Sequence, residues 1–346
     1  MINKIIIYNF LFKLKILNIL LIYHIASQSQ YIFNSNNIIN NKIKMQAEKS
    51  QTLDPEKSIG FKSKMMEFPL FHKDTIIYAL AIGFNEDPLN KDHFRFTYEL
   101  SDDFSVFPTY VSVIPINGLG DLLAECPGIP EFNLMSLLHG EEWVEMIKPL
   151  PTSGCLLYQA EIADLEDKGK GTVVCIQVRI YNKEDNNLLA IVTSNLFVRG
   201  LKGNGVKSRG PLKAVIPKAP KSNPFKSIIH RTYPNQAFYY RIGGNDANPL
   251  HVDPDMAAMG GFEKPILHGL CTYGMVGKAA YELFCDGDKD LIGSFKARMT
   301  SYVFPGESLN FRFWKGEGNN LIVSVINVER GTEVMVGEIS LKKSKF

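Results

Sequence analysis

The sequence predicts an α+β protein in which antiparallel β structure wraps a long helix, with the arrangement present twice in tandem. Three observations predict it. Short apolar runs punctuated by turn residues occupy both flanks of a Gly- and Pro-rich stretch at 201–225. One segment, Gly269 to Cys285, changes to helical spacing. A turn with the same residue pattern occurs once in each flank, as an internal repeat requires.

The elements follow in chain order. The 346 residues suffice for two ordinary domains. The first 44 are rich in Ile, Asn and Lys and contain no Gly, Pro or acid. Lys13 and Lys15 interrupt the apolar stretch from Ile5 to Ile25, so a stable membrane span fits poorly. Three readings of segment 1–45 stay open: a true start at Met45, a cleaved presequence or signal ending near Ala26-Ser27, or an anchor. None of them enters the fold argument. The first β unit is expected over 64–205. In it Thr172 to Tyr181 forms a strand, Asn182 to Asp185 a polar turn, and Leu188 to Phe197 the next strand. A linker is expected over 206–225, where Gly210, Pro211, Pro217, Pro220 and Pro224 stand among lysines. The second unit spans 226–346. Its helix carries Leu270, Gly274, Gly277, Tyr281 and Phe284 at helical spacing. Glycine costs helix propensity, so two of them predict a tightly packed face. Beyond it, Leu309, Phe311 and Phe313 alternate, as do Leu321, Val323 and Val325, and then Val334 and Val336.

Composition excludes several classes. Hydrophobic residues at 45% and charged residues at 21% suit an ordinary globular protein. A formal net charge of +2 provides no field for nucleic acid. Cys126, Cys155, Cys175, Cys271 and Cys285 lack C-x-x-C spacing, which argues against a disulfide framework or a zinc ribbon. Gly118-Leu119-Gly120 lacks the third glycine of a dinucleotide site. The chain ends Ser344-Lys345-Phe346, one residue away from a Ser-Lys-Leu peroxisomal address; mitochondrion and cytoplasm are the alternatives.

The repeat is read by setting Pro88 against Pro249. Tyr78 then meets Tyr239, Gly83 meets Gly244, Asn85 faces Asp246, and Asn90 faces His251. On this register only the second copy has ionisable groups at the last two positions, as if one copy had lost its chemistry.

Chemistry concentrates in Tyr239 to Gly274, which holds Asp246, Asn248, His251, Asp253, His268 and Cys271. Asp246 and His251 flank a Pro turn, where a carboxylate and an imidazole can share one water and take its proton. Read singly, Asp246 is a turn-capping residue and His251 a core histidine. Asp253-Pro254 reads as an N-cap and first helical residue. Gly269 opens the long helix, where free N–H groups and the dipole favour developing negative charge. His268 either orients this loop or is buried and inert. A metal held by His251, Asp253 and His268 is the competing idea, although the spacing matches no metal motif. Cys271 lies inside the helix without an evident base.

Tyr240-Arg241-Ile242, Asp246-Ala247-Asn248-Pro249-Leu250-His251, Asp253-Pro254 and Gly261 to Gly274 closely resemble the signature of the type 2 enoyl-CoA hydratases, of the MaoC-like group. The similarity extends over roughly residues 64–340, including Leu138-His139-Gly140-Glu141. The chain departs from the pattern by one extra residue within Gly243-Gly244-Asn245. The resemblance implies a double hotdog fold whose second unit is catalytic and whose first shapes an acyl pocket. It implies that trans-2-enoyl-CoA is hydrated to (3R)-3-hydroxyacyl-CoA, without metal or cofactor. Asp246 and His251 would activate the water, Asn248 would hold the site, and the Gly269 N–H would bind the thioester oxygen. Lys264, Lys296 and Arg298, with His268, are the candidates for holding substrate and its phosphates. A separate (3R)-hydroxyacyl-CoA dehydrogenase is the expected pathway partner, and a second copy of the chain a further one. A hotdog thioesterase, a carrier-protein dehydratase and a non-catalytic acyl-CoA binder are the alternatives.

Overall fold

The computed structural model describes residues 52–133, 136–213 and 215–343. The segment 1–45 and the terminal Ser344-Lys345-Phe346 lie outside the described residues. Among the described residues no helix is long and apolar enough to cross a membrane.

Among the described residues, ten antiparallel strands make one sheet. They are β1 (Met66–Leu70), β2 (Leu137–Met146), β3 (Gly154–Asp167), β4 (Gly171–Asn182), β5 (Leu188–Arg199), β6 (Lys226–Arg231), β7 (Ile292–Met299), β8 (Ser308–Lys315), β9 (Asn320–Asn327) and β10 (Thr332–Leu341). Their order is β1-β3-β4-β5-β2-β7-β10-β9-β8-β6, so the second five mirror the first. The seam is β2 against β7, from Glu141 opposite Arg298 to Glu145 opposite Ser294. The two expected sheets therefore run into one another, because each unit's second strand uses the other's as its partner and neither seam edge is left unpaired.

Alternation explains the strand assignments. Leu309, Phe311 and Phe313 on β8 and Leu321, Val323 and Val325 on β9 are all fully buried. On β10 the expected pair Val334 and Val336 does not share a face. The register slips between Glu333 and Met335. The extra residue turns Met335, Ile339 and Leu341 inward while Val336 faces partly outward.

Four helices matter to the site: α1 (His72–Ala81), α2 (Gln236–Gly243), α3 (Pro254–Met259) and α4 (Gly269–Ala280). The sheet wraps α4, where every residue from Leu270 to Ala280 is buried. The two helix glycines are where neighbours come closest. A β-carbon on Gly274 would lie 2.6 Å from Ile82 Cγ2, and one on Gly277 would lie 2.8 Å from Thr109 Cγ2. The helix continues as a π turn, Tyr281–Cys285, and stops at Asp286, which is left-handed at φ 46°.

The linker is anchored to the first unit. Asp164 on β3 accepts hydrogen bonds from Ser208 Oγ at 2.6 Å, Gly210 N at 3.0 Å and Arg209 N at 3.1 Å. Burial alone would raise this carboxyl, but the bonds from Ser208, Arg209, Gly210 and Leu165 outweigh it and hold it below the usual range.

The structure corrects the repeat register by one residue. α1 ends with Ile82 N bonded to Tyr78 O and Phe84 N bonded to Ala79 O. α2 ends with Gly244 N bonded to Tyr240 O and Asp246 N bonded to Arg241 O. Tyr78 thus corresponds to Tyr240, both buried, and not to the exposed Tyr239. Left-handed Gly83 and Asn245, at φ 96° and 52°, make the two turns. Phe84 therefore stands where the second unit has Asp246. The following loop is longer in the first unit. Asn90 and Asn248 each cap a single 3₁₀ turn, whose third residues are His93 and His251. Asn90 is therefore not the counterpart of His251. The first unit thus has Phe84 in place of the acid and a buried imidazole, His93, which lies 3.2 Å from Glu282 on the end of the central helix.

Candidate active site

The loop between α2 and α3 builds the site. Asp246 Oδ1 accepts from Asn248 N at 2.9 Å, and Asn248 Oδ1 accepts from Leu250 N at 3.0 Å. These two linked turns carry the chain through Pro249 and set Asp246 and His251 side by side. Asp253 then caps α3, accepting from Asp255 N at 2.8 Å, so it is not free to join His251 and His268 around a metal. The carboxylate that does join them is Asp246: Asp246, His251 and His268 each offer one ligand-type atom within 4.8 Å of the others.

Asp246 and His251 are 6% and 7% exposed. Asp246 Oδ2 lies 4.0 Å from His251 Nε2, beyond a direct hydrogen bond. That gap matches two atoms gripping the same water from either side. His251 Nδ1 is 2.8 Å from the Ile266 carbonyl, which can only accept, so Nδ1 carries the proton and Nε2 of the neutral ring is the acceptor. Burial raises the Asp246 carboxyl above its ordinary range, and His251, the Asn248 N–H and Arg241 oppose that rise without cancelling it. A carboxylate raised in this way is a stronger base than an exposed one.

His268 precedes α4 and caps it, its Nδ1 accepting from Leu270 N at 3.0 Å. Its carbonyl takes Cys271 N–H at 3.0 Å. Gly269 N–H has no protein partner among the described residues and is a free donor at the positive end of the helix. The His268 ring lies 4.7 Å from that of His251. Burial first, then His251 and His139, push the His268 imidazole well below its ordinary range, so it stays neutral.

The basic candidates divide. Lys264 is exposed, four residues before His268, with Nζ 4.6 Å above the Phe304 ring. Lys296 and Arg298 are not brought to the pair. They alternate with Phe295 and Ala297, whose side chains face the core, and so lie on the other side of β7. Arg298 Nε is 2.6 Å from Glu141 Oε1, and Lys296 Nζ stands 5.4 Å from the Trp143 ring.

Two wall residues were not singled out as site residues from the sequence. Tyr240 packs its ring 5.7 Å from His268, and burial drives its hydroxyl well above the ordinary range. Glu142 is fully buried on β2, with Oε2 2.9 Å from His139 Nε2. An acid at an inward position of an alternating strand was the available signal for Glu142.

Comparison with known proteins finds relatives of both units. Residues 68–200 match the model of the MFE-2 hydratase 2 N-terminal domain, and residues 215–338 match the MaoC like domain. The chain is 38% identical over 265 residues to a probable enoyl-CoA hydratase 2 of Dictyostelium discoideum, covering 76% of this chain and 88% of that one. It is 39% identical over 266 residues to the peroxisomal multifunctional enzyme type 2 of Mus musculus, covering 76% of this chain and 35% of the longer mouse protein. The crystal structure of a MaoC-like dehydratase from Phytophthora capsici superimposes with a TM-score of 0.76 at 31% identity, over 84% of this chain and 98% of that one. From its motifs, its mirrored sheet and these matches, the chain belongs to the type 2, MaoC-like enoyl-CoA hydratases with the double hotdog fold.

Proposed function

We propose that this chain hydrates trans-2-enoyl-CoA thioesters to (3R)-3-hydroxyacyl-CoA in fatty acid β-oxidation. The observation that carries the reading is the pair of acceptor atoms, Asp246 Oδ2 and His251 Nε2, 4.0 Å apart beside a helix that opens with a free N–H. A water held there points both hydrogens at the pair and a lone pair away from it. The thioester oxygen sits on Gly269 N–H, which draws electrons from the double bond and makes C3 electrophilic. The water oxygen bonds to C3 as the pair takes one proton, and the electron pair of the double bond moves through C2 onto the thioester oxygen. The pair returns a proton to C2, water has been added, and both side chains end as they began. Asn248 serves by holding Asp246, and Lys264, exposed four residues before His268, is a candidate for the phosphates of coenzyme A.

The chain acts in the peroxisome, a reading supported by the name of the mouse relative. A (3R)-hydroxyacyl-CoA dehydrogenase is the class of enzyme that consumes the product of this reaction. The test follows the loss of the enoyl-thioester absorbance with purified protein, then assigns product chirality with (3R)- and (3S)-specific dehydrogenases. Release of free coenzyme A in a thiol assay, or a (3S) product, refutes the reading.

A further inference from the structure

We propose that Glu142 of the first unit is a positioning residue for hydration, acting through His139 on the His268 imidazole beside the entrance of the central helix. The inference rests on the hydratase reading. Glu142 is the most deeply buried carboxylate among the described residues, at 0% exposure, and shares the inward face of β2 with Val144 and Met146. That face calls for an apolar side chain. A carboxylate there costs several kcal/mol unless it is paired, so packing alone does not explain its presence.

Its partners are built by a defect in the strand. His139 and Glu142 are three residues apart and would point to opposite faces of a regular strand. The register slips between His139 and Glu141, with Gly140 as the extra residue. The bulge brings both side chains to one face. His139 Nε2 then meets Glu142 Oε2 at 2.9 Å, and Ser194 Oγ meets the same oxygen at 2.7 Å. Gly140 leaves room for this turn, since a β-carbon there would lie 3.3 Å from Asn195 O.

The couple adjoins the site. The His139 ring stands edge-on to His268 at 6.3 Å, and His268 stands 4.7 Å from His251. Three imidazoles thus run in a row from Glu142 to the pair. Glu142 fixes the His139 proton on Nε2 and holds that ring still. His139 in turn walls in His268, whose Nδ1 is committed to the Leu270 N–H. With His268 held, the adjacent Gly269 N–H keeps its aim at the thioester oxygen.

The experiment uses full-length Glu142→Gln and Glu142→Leu beside the wild type, with crotonyl-CoA as substrate. The expected result is kcat lower by about ten- to a hundredfold, the range a charge-assisted hydrogen bond governs, with KM within about threefold. Glu142→Gln, whose amide oxygen can still accept from Ser194 Oγ, keeps a thermal midpoint close to that of the wild type, whereas Glu142→Leu leaves that hydroxyl without its acceptor and lowers the midpoint while the protein stays folded. Long-range 1H–15N spectra show a single His139 Nε2–H form in the wild type and a mixture of tautomers in the variants. Folded variants with kcat within about twofold of the wild type overturn the inference, as does activity lost only in step with unfolding, or failure of both variants to fold. A wild type that hydrates nothing overturns the hydratase reading and this inference together, whereas an active wild type with unaffected variants overturns the inference alone.

Discussion

Asp246→Asn separates catalysis from stability at one atom. The asparagine keeps Oδ1 and with it the bond from Asn248 N at 2.9 Å, so the turn survives. It replaces Oδ2, the acceptor 4.0 Å from His251 Nε2, with an NH2 that can take no proton from water. General base assistance is worth about 10²–10⁴-fold, or about 3–5 kcal/mol of barrier, and kcat should fall by that factor. Stability should move the other way. Burial raises the Asp246 carboxyl in the folded protein, and Oδ2 has no hydrogen-bond partner there. A folded-state value above the unfolded one means the native state binds more protons in the window between them. The carboxylate therefore destabilises at neutral pH, and its penalty disappears as pH falls through the folded value. Asn at this position should stabilise at pH 7 by about 1–2 kcal/mol, or very roughly 2–8 °C in the thermal midpoint. The same protonation should remove wild-type activity on the acid side, with a limb above the ordinary carboxylate range. Crotonyl-CoA hydration from pH 4 to 9 and calorimetry of both proteins measure these effects. A stable Asp246→Asn variant that keeps kcat within a factor of three refutes the two-acceptor mechanism. A variant less stable than the wild type at pH 7 refutes the account of its burial.

Three further predictions follow from the geometry. Gly269→Ala places a methyl 2.8 Å from Met299 Cγ; if the thioester oxygen sits on Gly269 N–H as proposed, kcat/KM for crotonyl-CoA should drop about tenfold or more while the helix stays folded by circular dichroism. Gly274→Ala sets a β-carbon 2.6 Å from Ile82 Cγ2 and 2.8 Å from Tyr78 Oη. Overpacking of about 1–3 kcal/mol should outweigh the alanine's gain in helix propensity of about 1 kcal/mol, and the midpoint should fall. Asp164→Ala strands Ser208 Oγ and the backbone N–H groups of Arg209, Gly210 and Leu212, and should cost about 2–3 kcal/mol and expose 206–213 to limited proteolysis. The stability that Asp164 supplies is present above the unfolded carboxyl value and is lost as pH falls through the depressed folded one, so the gap between variant and wild type should close in acid.

Residue order alone makes most of the elements legible, together with the loop that sets Asp246 beside His251. Alternation fixed the inward sets of β8 and β9, because a strand's side chains change face at every residue. The glycines of α4 announced the close approach of Ile82 and Thr109. Asp246, Asn248 and His251 were legible because five residues of turn chemistry bring them together locally. Contacts and register between distant segments emerge only in the folded chain. Lys296 and Arg298 fall on the wrong face of β7 for the site, since membership of a strand does not say which face is filled. The true repeat register needed the left-handed turns at Gly83 and Asn245, which absorb the extra residue and put Phe84 opposite Asp246. The contact of Glu142 with His139, and of His139 with His268, needed both a bulge in β2 and the approach of β2 to the start of the central helix, and no run of neighbouring residues encodes either. Local turns and periodicities are written in adjacent residues, whereas a wall built from residues 139 and 268 exists only once the chain has closed the distance between them.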